Sequence, residues 1–205
     1  MGLTAKQLKS SLDALAGIEP RIAGALAAAG YPEPRKRPRG YPTLLRTIVG
    51  QQVSVKAADA VWNRLGEALG DLGEPARMAV ASDETMRGAG LSRQKQGYAR
   101  SLAGLIDSGE LDLDSLPDDD EEAIAALTAV KGIGRWSAEI YLLFAEGRPD
   151  IWPAGDLAVQ IAVGRLFDLD ERPSEKIVRE KAEGWRPHRG AAAILAWHSY
   201  NMKVI

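Results

Sequence analysis

The stretch from Leu127 to Ala138 (LTAVKGIGRWSA) most constrains what this chain can fold into. Alanine, leucine and charged residues recur on both sides of it with a helical rhythm, and Lys131-Gly-Ile-Gly134 cuts that rhythm in two. Gly132 and Gly134 open backbone angles closed to other residues, and their missing side chains let a neighbour approach the backbone closely. The pattern predicts two helices, 118–130 and 135–145, joined by a tight hairpin. The same 3.6-residue rhythm runs through almost the whole chain, while alternating β patterns are scarce, so the expected class is all-α.

Further helices are expected over 8–15, 22–29, 43–69 (interrupted near Gln51 and Gln52), 75–81, 83–89, 92–108, 156–167, 174–184 and 187–202. The prolines of 31–40 (YPEPRKRPRG) break both helix and strand, so that segment reads as a linker. Residues 147–155 (GRPDIWPAG) read as an irregular loop. The acidic run Asp118 to Glu122 suits the first turn of a helix, where carboxylates favour the dipole. Pro187 suits the first position of the last helix, where a missing N–H does no harm.

Composition narrows the chemistry. The chain of 205 residues, 45% hydrophobic and 26% charged, can bury a sizeable core. No apolar run approaches the roughly 18 residues that span a membrane, and the N-terminus lacks the apolar core of a secretory signal. Both point to a soluble, cytoplasmic protein. Cysteine is absent, which excludes disulfides, thiolate nucleophiles, zinc–cysteine sites and iron–sulfur clusters. His188 and His198 are the only histidines, so a histidine-rich metal site is not expected. A net charge of −2 means that any contact with nucleic acid is local. The densest basic cluster, Arg35 to Arg39, reads either as a solvated linker or as such a local patch.

Two features can carry function. The N–H groups around Gly134 to Trp136 lie at a helix start, where orphan donors and the helix dipole favour an anion. Lys131 and Arg135 add positive charge, so a phosphate is a natural occupant, although many glycine turns are only tight connectors. Asp156 then arrives at the start of the next helix, where it reads either as a cap or as a carboxylate available for chemistry.

In this context the block from Leu127 to Asp156, including Trp152-Pro-Ala-Gly-Asp156, resembles the helix-hairpin-helix of the DNA glycosylase superfamily with its glycine/proline-rich loop and catalytic aspartate. The resemblance continues through 48–58 (IVGQQVSVKAA), 90–95 (GLSRQK), 185–189 (WRPHR) and Ala196-Trp197. It is nearest to the DNA-3-methyladenine glycosylase II type, in a short form without the N-terminal β domain. It implies a two-lobed helical fold with a cleft between lobes: a middle lobe over 39–145, and a second lobe from 1–38 plus 146–205.

The resemblance also assigns roles. It implies hydrolysis of the N-glycosidic bond of alkylated purines (3-methyladenine, 7-methylguanine) in duplex DNA by a monomeric enzyme, with Asp156 as the catalytic carboxylate. Trp136 and Trp197 match base-pocket positions; Tyr41, Trp152 and Tyr141 are weaker candidates. Gln52, with Val53 and Gln51 beside it, would fill the gap left by the flipped base. Gly132, Gly134, Arg135, Lys131 and Trp136 would bind phosphate. Backbone carbonyls of Thr128, Val130 and Ile133 would hold a structural Na+ or K+, and no other cofactor is required. Trp136 stands where lyase-competent relatives carry a Schiff-base lysine, so no lyase activity is expected. The chain departs from the family pattern at Ile140, where some members have a pocket tyrosine. The alternatives are a non-catalytic helix-hairpin-helix DNA-binding module or a glycosylase of different base specificity.

Overall fold

A computed structural model describes residues 2–202. Among these residues there is no strand, and twelve α-helices carry the fold, as the all-α expectation requires. Two compact units emerge: one runs from Pro38 to Tyr141, and the other joins the N-terminal segment up to Arg37 to the chain from Leu142 onward. No helix is long and apolar enough to cross a membrane among the described residues.

The Pro38–Tyr141 unit comprises α3 (Tyr41–Gly50), α4 (Val55–Leu69), α5 (Pro75–Val80), α6 (Asp83–Gly88), α7 (Arg93–Asp107), α8 (Asp120–Thr128) and α9 (Arg135–Tyr141); α3, α5 and α6 pack on α7, and the core includes Leu44, Leu45, Ile48, Leu65, Met86 and Leu102. Serine and aspartate fix the helix starts by accepting backbone N–H groups that have no intrahelical partner. Ser54, Ser82, Ser92 and Asp119 each play this part. The helical pattern over 43–69 is split by the turn at Gln51–Ser54, where Gln52 takes a left-handed φ of 55°. The helix expected from Asp118 begins two residues later, because Asp119 is its cap.

In the other unit, α1 and α2 (Ala5–Ile18 and Pro20–Ala29) pack together and against α12 (Arg189–Met202), which also packs on α10 (Leu157–Leu166). α11 (Glu175–Lys181) lies between α10 and α12 in the chain. The expected helix 135–145 changes character at Leu142, where the chain adopts a π-helical segment, Leu142–Glu146. Residues 142–145 are all buried. The basic stretch is non-helical, as a linker should be, yet its backbone is anchored: Arg37 N–H donates to the Phe144 carbonyl at 2.8 Å.

The last helix starts at Arg189, two residues after the position expected for Pro187. A specific clamp accounts for this start. Arg189 is buried and binds Asp150 in bidentate fashion, Nε to Oδ1 at 2.9 Å and Nη2 to Oδ2 at 2.8 Å. Gly190 N–H donates to the Pro149 carbonyl at 2.8 Å. A Cβ on Gly190 would sit 2.7 Å from that carbonyl oxygen and 2.8 Å from Leu143. The loop that leads to Asp156 is thereby sewn to the start of α12. Gly190→Ala is expected to lower unfolding stability by about 1–3 kcal/mol, the usual cost of overpacking, measured by urea denaturation.

Candidate active site and hairpin

The hairpin is built from below by α7. Gly132 has φ +84°, and a Cβ there would lie 2.2 Å from the ring of Tyr98. The backbone can therefore pass this close to the aromatic ring only as glycine. The Lys131 N–H donates to Ser101 Oγ at 3.1 Å, and the Ile133 N–H to the Val130 carbonyl at 3.0 Å. Gly134 differs: its φ is not left-handed, it is exposed, and no protein atom lies within 4 Å of where its Cβ would be. The protein's own packing does not require glycine at 134, and the open space above it suits close approach by a ligand. The Gly134 carbonyl accepts the first bond of α9, from the Ala138 N–H at 3.1 Å. The first N–H groups of α9 follow directly, at the positive end of the helix.

The side chains around the hairpin divide in a way the sequence alone does not reveal. Lys131 is exposed. Arg135 is instead drawn into ion pairs, with Glu121 at 2.5 Å and with the buried Glu139 at 3.0 Å. Hydrogen bonding to Glu121, first, together with the charges of both glutamates, holds the Arg135 guanidinium above its ordinary range. These pairs satisfy a buried carboxylate and tie α8 to α9, while the Arg135 side chain stays partly exposed. Trp136 is 47% exposed on the first turn of α9.

Asp156 caps α10. Its Oδ1 accepts from the N–H groups of Ala158 at 2.9 Å and Val159 at 3.0 Å. A third donor arrives from α12: Trp197 Nε1–H, at 3.0 Å. The Trp197 ring is buried, with Phe144 5.5 Å away between centroids and the Arg35 guanidinium 5.8 Å from its centroid. The side chains of Asp156 and Trp197, 41 residues apart in the chain, thus meet directly.

Other aromatic candidates are placed differently. Trp152 is buried, donates from Nε1 to the Val178 carbonyl at 3.1 Å and meets Trp185 edge-on. It is a core residue on the approach to Asp156. Tyr141 is also buried, and its hydroxyl accepts from the Gly40 N–H at 2.8 Å. Tyr41 lies in the core of the Pro38–Tyr141 unit with its hydroxyl enclosed, and burial raises its pKa. Ile140, the departure from the family pattern, is buried.

The wedge candidates also separate. Gln52 and Val53 are exposed. Gln51 turns its side chain toward the hairpin and donates from Nε2 to the Gly132 carbonyl at 2.7 Å, so it is a brace and not part of the exposed tip. Sequence periodicity could not have found this bond, the Arg189–Asp150 clamp or the Trp197–Asp156 bond, since each joins distant segments. A difference between the two hairpin glycines follows. Gly132→Ala is expected to lose at least ~2 kcal/mol of stability from left-handed strain and the clash with Tyr98. Gly134→Ala is expected to change stability by no more than about 1 kcal/mol while weakening duplex DNA binding. Paired melts and titrations with labelled duplex separate the two.

The family described as HhH-GPD superfamily base excision DNA repair protein matches residues 45–187. The chain is 34% identical over 161 residues to DNA-3-methyladenine glycosylase 1 of Schizosaccharomyces pombe, covering 77% of this chain and 71% of that one. It is 28% identical to the putative DNA-3-methyladenine glycosylase YfjP of Bacillus subtilis, covering 78% of this chain but only 58% of that protein's length. Among solved structures, DNA-3-methyladenine glycosidase from Bacillus halodurans superposes with a TM-score of 0.85 at 29% identity, covering 94% of this chain and 90% of that one. Schizosaccharomyces pombe 3-methyladenine DNA glycosylase Mag1, in complex with abasic DNA, gives 0.77 at 28% identity, covering 96% and 97%. The chain belongs to the HhH-GPD superfamily of base excision DNA repair proteins.

Proposed function

We propose that this chain hydrolyses the N-glycosidic bond of alkylated purines, 3-methyladenine and 7-methylguanine, in duplex DNA and leaves an intact abasic site. The observation that carries the reading is the convergence of three N–H donors on Asp156 Oδ1. They fix the carboxylate at one orientation on the first turn of α10. The relatives' names support the substrate class, and the complex of Mag1 with abasic DNA supports the product.

Alkylation at N3 or N7 gives the purine a positive charge. When the C1′–N bond breaks, its electron pair neutralises the base, which leaves without prior protonation. Positive charge moves to the sugar, and a fixed carboxylate stabilises that oxocarbenium character. Water then adds to C1′ and gives up a proton, which Asp156 can accept or guide. A cationic base also favours an electron-rich aromatic face, for which Trp197 and the exposed Trp136 are the candidates. The backbone N–H groups at the start of α9, with Lys131 nearby, grip a DNA phosphate. The Gln52–Val53 turn takes the place of the extruded base.

Two finer points belong to the same reading. Trp136 offers no amine for a Schiff base, so the enzyme acts by hydrolysis alone. The backbone carbonyls of Thr128, Val130 and Ile133 would hold a Na+ or K+, whose charge would add to the attraction of the hairpin for a phosphate. The Val130 carbonyl already accepts one N–H, and its second lone pair faces no competing demand in that bond. Thr128 ends α8, where carbonyls lack intrahelical partners.

The test is single-turnover release of base from methylated duplex DNA. Asp156→Asn keeps an oxygen that can accept the same three N–H bonds, so its melting temperature should stay near wild type. Its release rate should fall by at least about 100-fold, the scale set by removing one well-placed charge-stabilising group. Borohydride should trap no protein–DNA adduct. Robust release by the asparagine variant would remove Asp156 from the chemistry. No release by the wild-type protein on any alkylated substrate would favour the non-catalytic DNA-binding module, and a trapped adduct would establish a lyase.

A further inference from the structure

The turn between α3 and α4 and the hairpin between α8 and α9 lie about 80 positions apart, yet they share a frame. α7 supports both. Lys95 Nζ donates to the Val49 carbonyl, on the last turn of α3, at 2.8 Å. Tyr98, one turn further along α7, packs its ring against Gly132, and Ser101, one turn further again, accepts the Lys131 N–H. Gln51 then joins the two supported segments directly, through its Nε2 donor and the Gly132 carbonyl at 2.7 Å. The next residue, Gln52, holds a left-handed φ of 55°. A non-glycine residue stays there only when its surroundings fix it. Exposed Val53 and Ser54 complete the turn.

The geometry points to Gln51 as a positioning residue that sets the exposed Gln52–Val53 turn in fixed register with the phosphate-gripping hairpin. The grip on the backbone and the push on the base are then delivered from one rigid piece. This inference rests on the glycosylase reading and adds to it a division of labour: Gln51 touches neither the base nor the reacting sugar. Extruding a paired base costs free energy that a mismatched or single-stranded base does not demand. A slack turn therefore fails in proportion to how firmly its target is held. Chemistry at the extruded nucleotide, and the grip on phosphate, should be unaffected.

The test uses the whole chain with Gln51→Ala, which removes the donor, and Gln51→Glu, which places an acceptor against the Gly132 carbonyl at unchanged size. Base release is measured under single-turnover conditions from two substrates carrying the same 7-methylguanine, one in a fully paired duplex and one in a single strand. Affinity for duplex containing an abasic-site analogue, which needs no base extruded, is measured alongside.

Both variants should lose roughly tenfold on the paired substrate, the equilibrium scale of one hydrogen bond to a partner left unsatisfied. They should lose less than about twofold on the single strand and in abasic-duplex affinity. Equal loss on both substrates would overturn the inference by placing Gln51 in the chemistry. Loss of abasic affinity in step with activity would overturn it by making Gln51 only a support for the hairpin. Unchanged release on the paired substrate would overturn it outright. Failure of the glycosylase reading would show separately, as absence of release by the wild-type protein on either substrate.

Discussion

Three N–H groups meeting on one oxygen of Asp156 are the constraint on which the rest of the C-terminal half depends. Two of them come from the start of α10 and cost nothing extra, because an aspartate at this position caps the helix anyway. The third, from Trp197, demands that α12 lie at a fixed height along α10. Much of the surrounding structure serves that demand. The Arg189–Asp150 pair and the Gly190–Pro149 contact tie the loop before Asp156 to the start of α12. Phe144 and Arg35 flank the Trp197 ring, and the Phe144 carbonyl in turn anchors the Arg37 backbone. Capping is therefore compatible with the chemistry proposed for Asp156. The cap is the means by which the carboxylate is held still.

The Pro38–Tyr141 unit solves a different problem, that of presenting backbone. The proposed phosphate grip calls for exposed N–H groups on a firm base, and α7 supports the hairpin. Tyr98 against Gly132 fixes one side of the turn, and Ser101 fixes the residue before it. The two glycines, alike in sequence, divide the work. Gly132 is demanded by the protein's own packing, whereas the space at Gly134 is left open. Charge follows the same economy. In a chain of net charge −2, Arg135 pairs with Glu121 and Glu139, and in the proposed function backbone dipoles supply the attraction for an anion.

Local physics made much of this legible in the sequence. Helical period, proline breaks and capping residues located nearly every helix, because each is decided within a few residues. The hairpin and Asp156 stood out for the same reason. What escaped was set by distant partners. Nothing in the sequence near either tryptophan shows that Trp152 donates its indole N–H to a core carbonyl and Trp197 to Asp156. Arg135 reaches Glu139 four residues along its own helix, but its bond to Glu121 on α8 crosses the hairpin and lay beyond local pattern. Gln51 and Gln52 are neighbours of identical type, separated only by a left-handed backbone step that turns one side chain to the hairpin and leaves the other exposed.

The account as a whole turns on one chemical statement: this chain releases cationic alkylated purines as free bases by hydrolysis. Mass spectrometry of the bases set free from DNA treated with a methylating agent tests it most directly, with the integrity of the phosphodiester backbone followed in the same reaction. The account predicts free 3-methyladenine and 7-methylguanine and DNA strands that stay unbroken until alkali is added. A supernatant without methylated purines, or strands cut at the lesion before alkali, would contradict it.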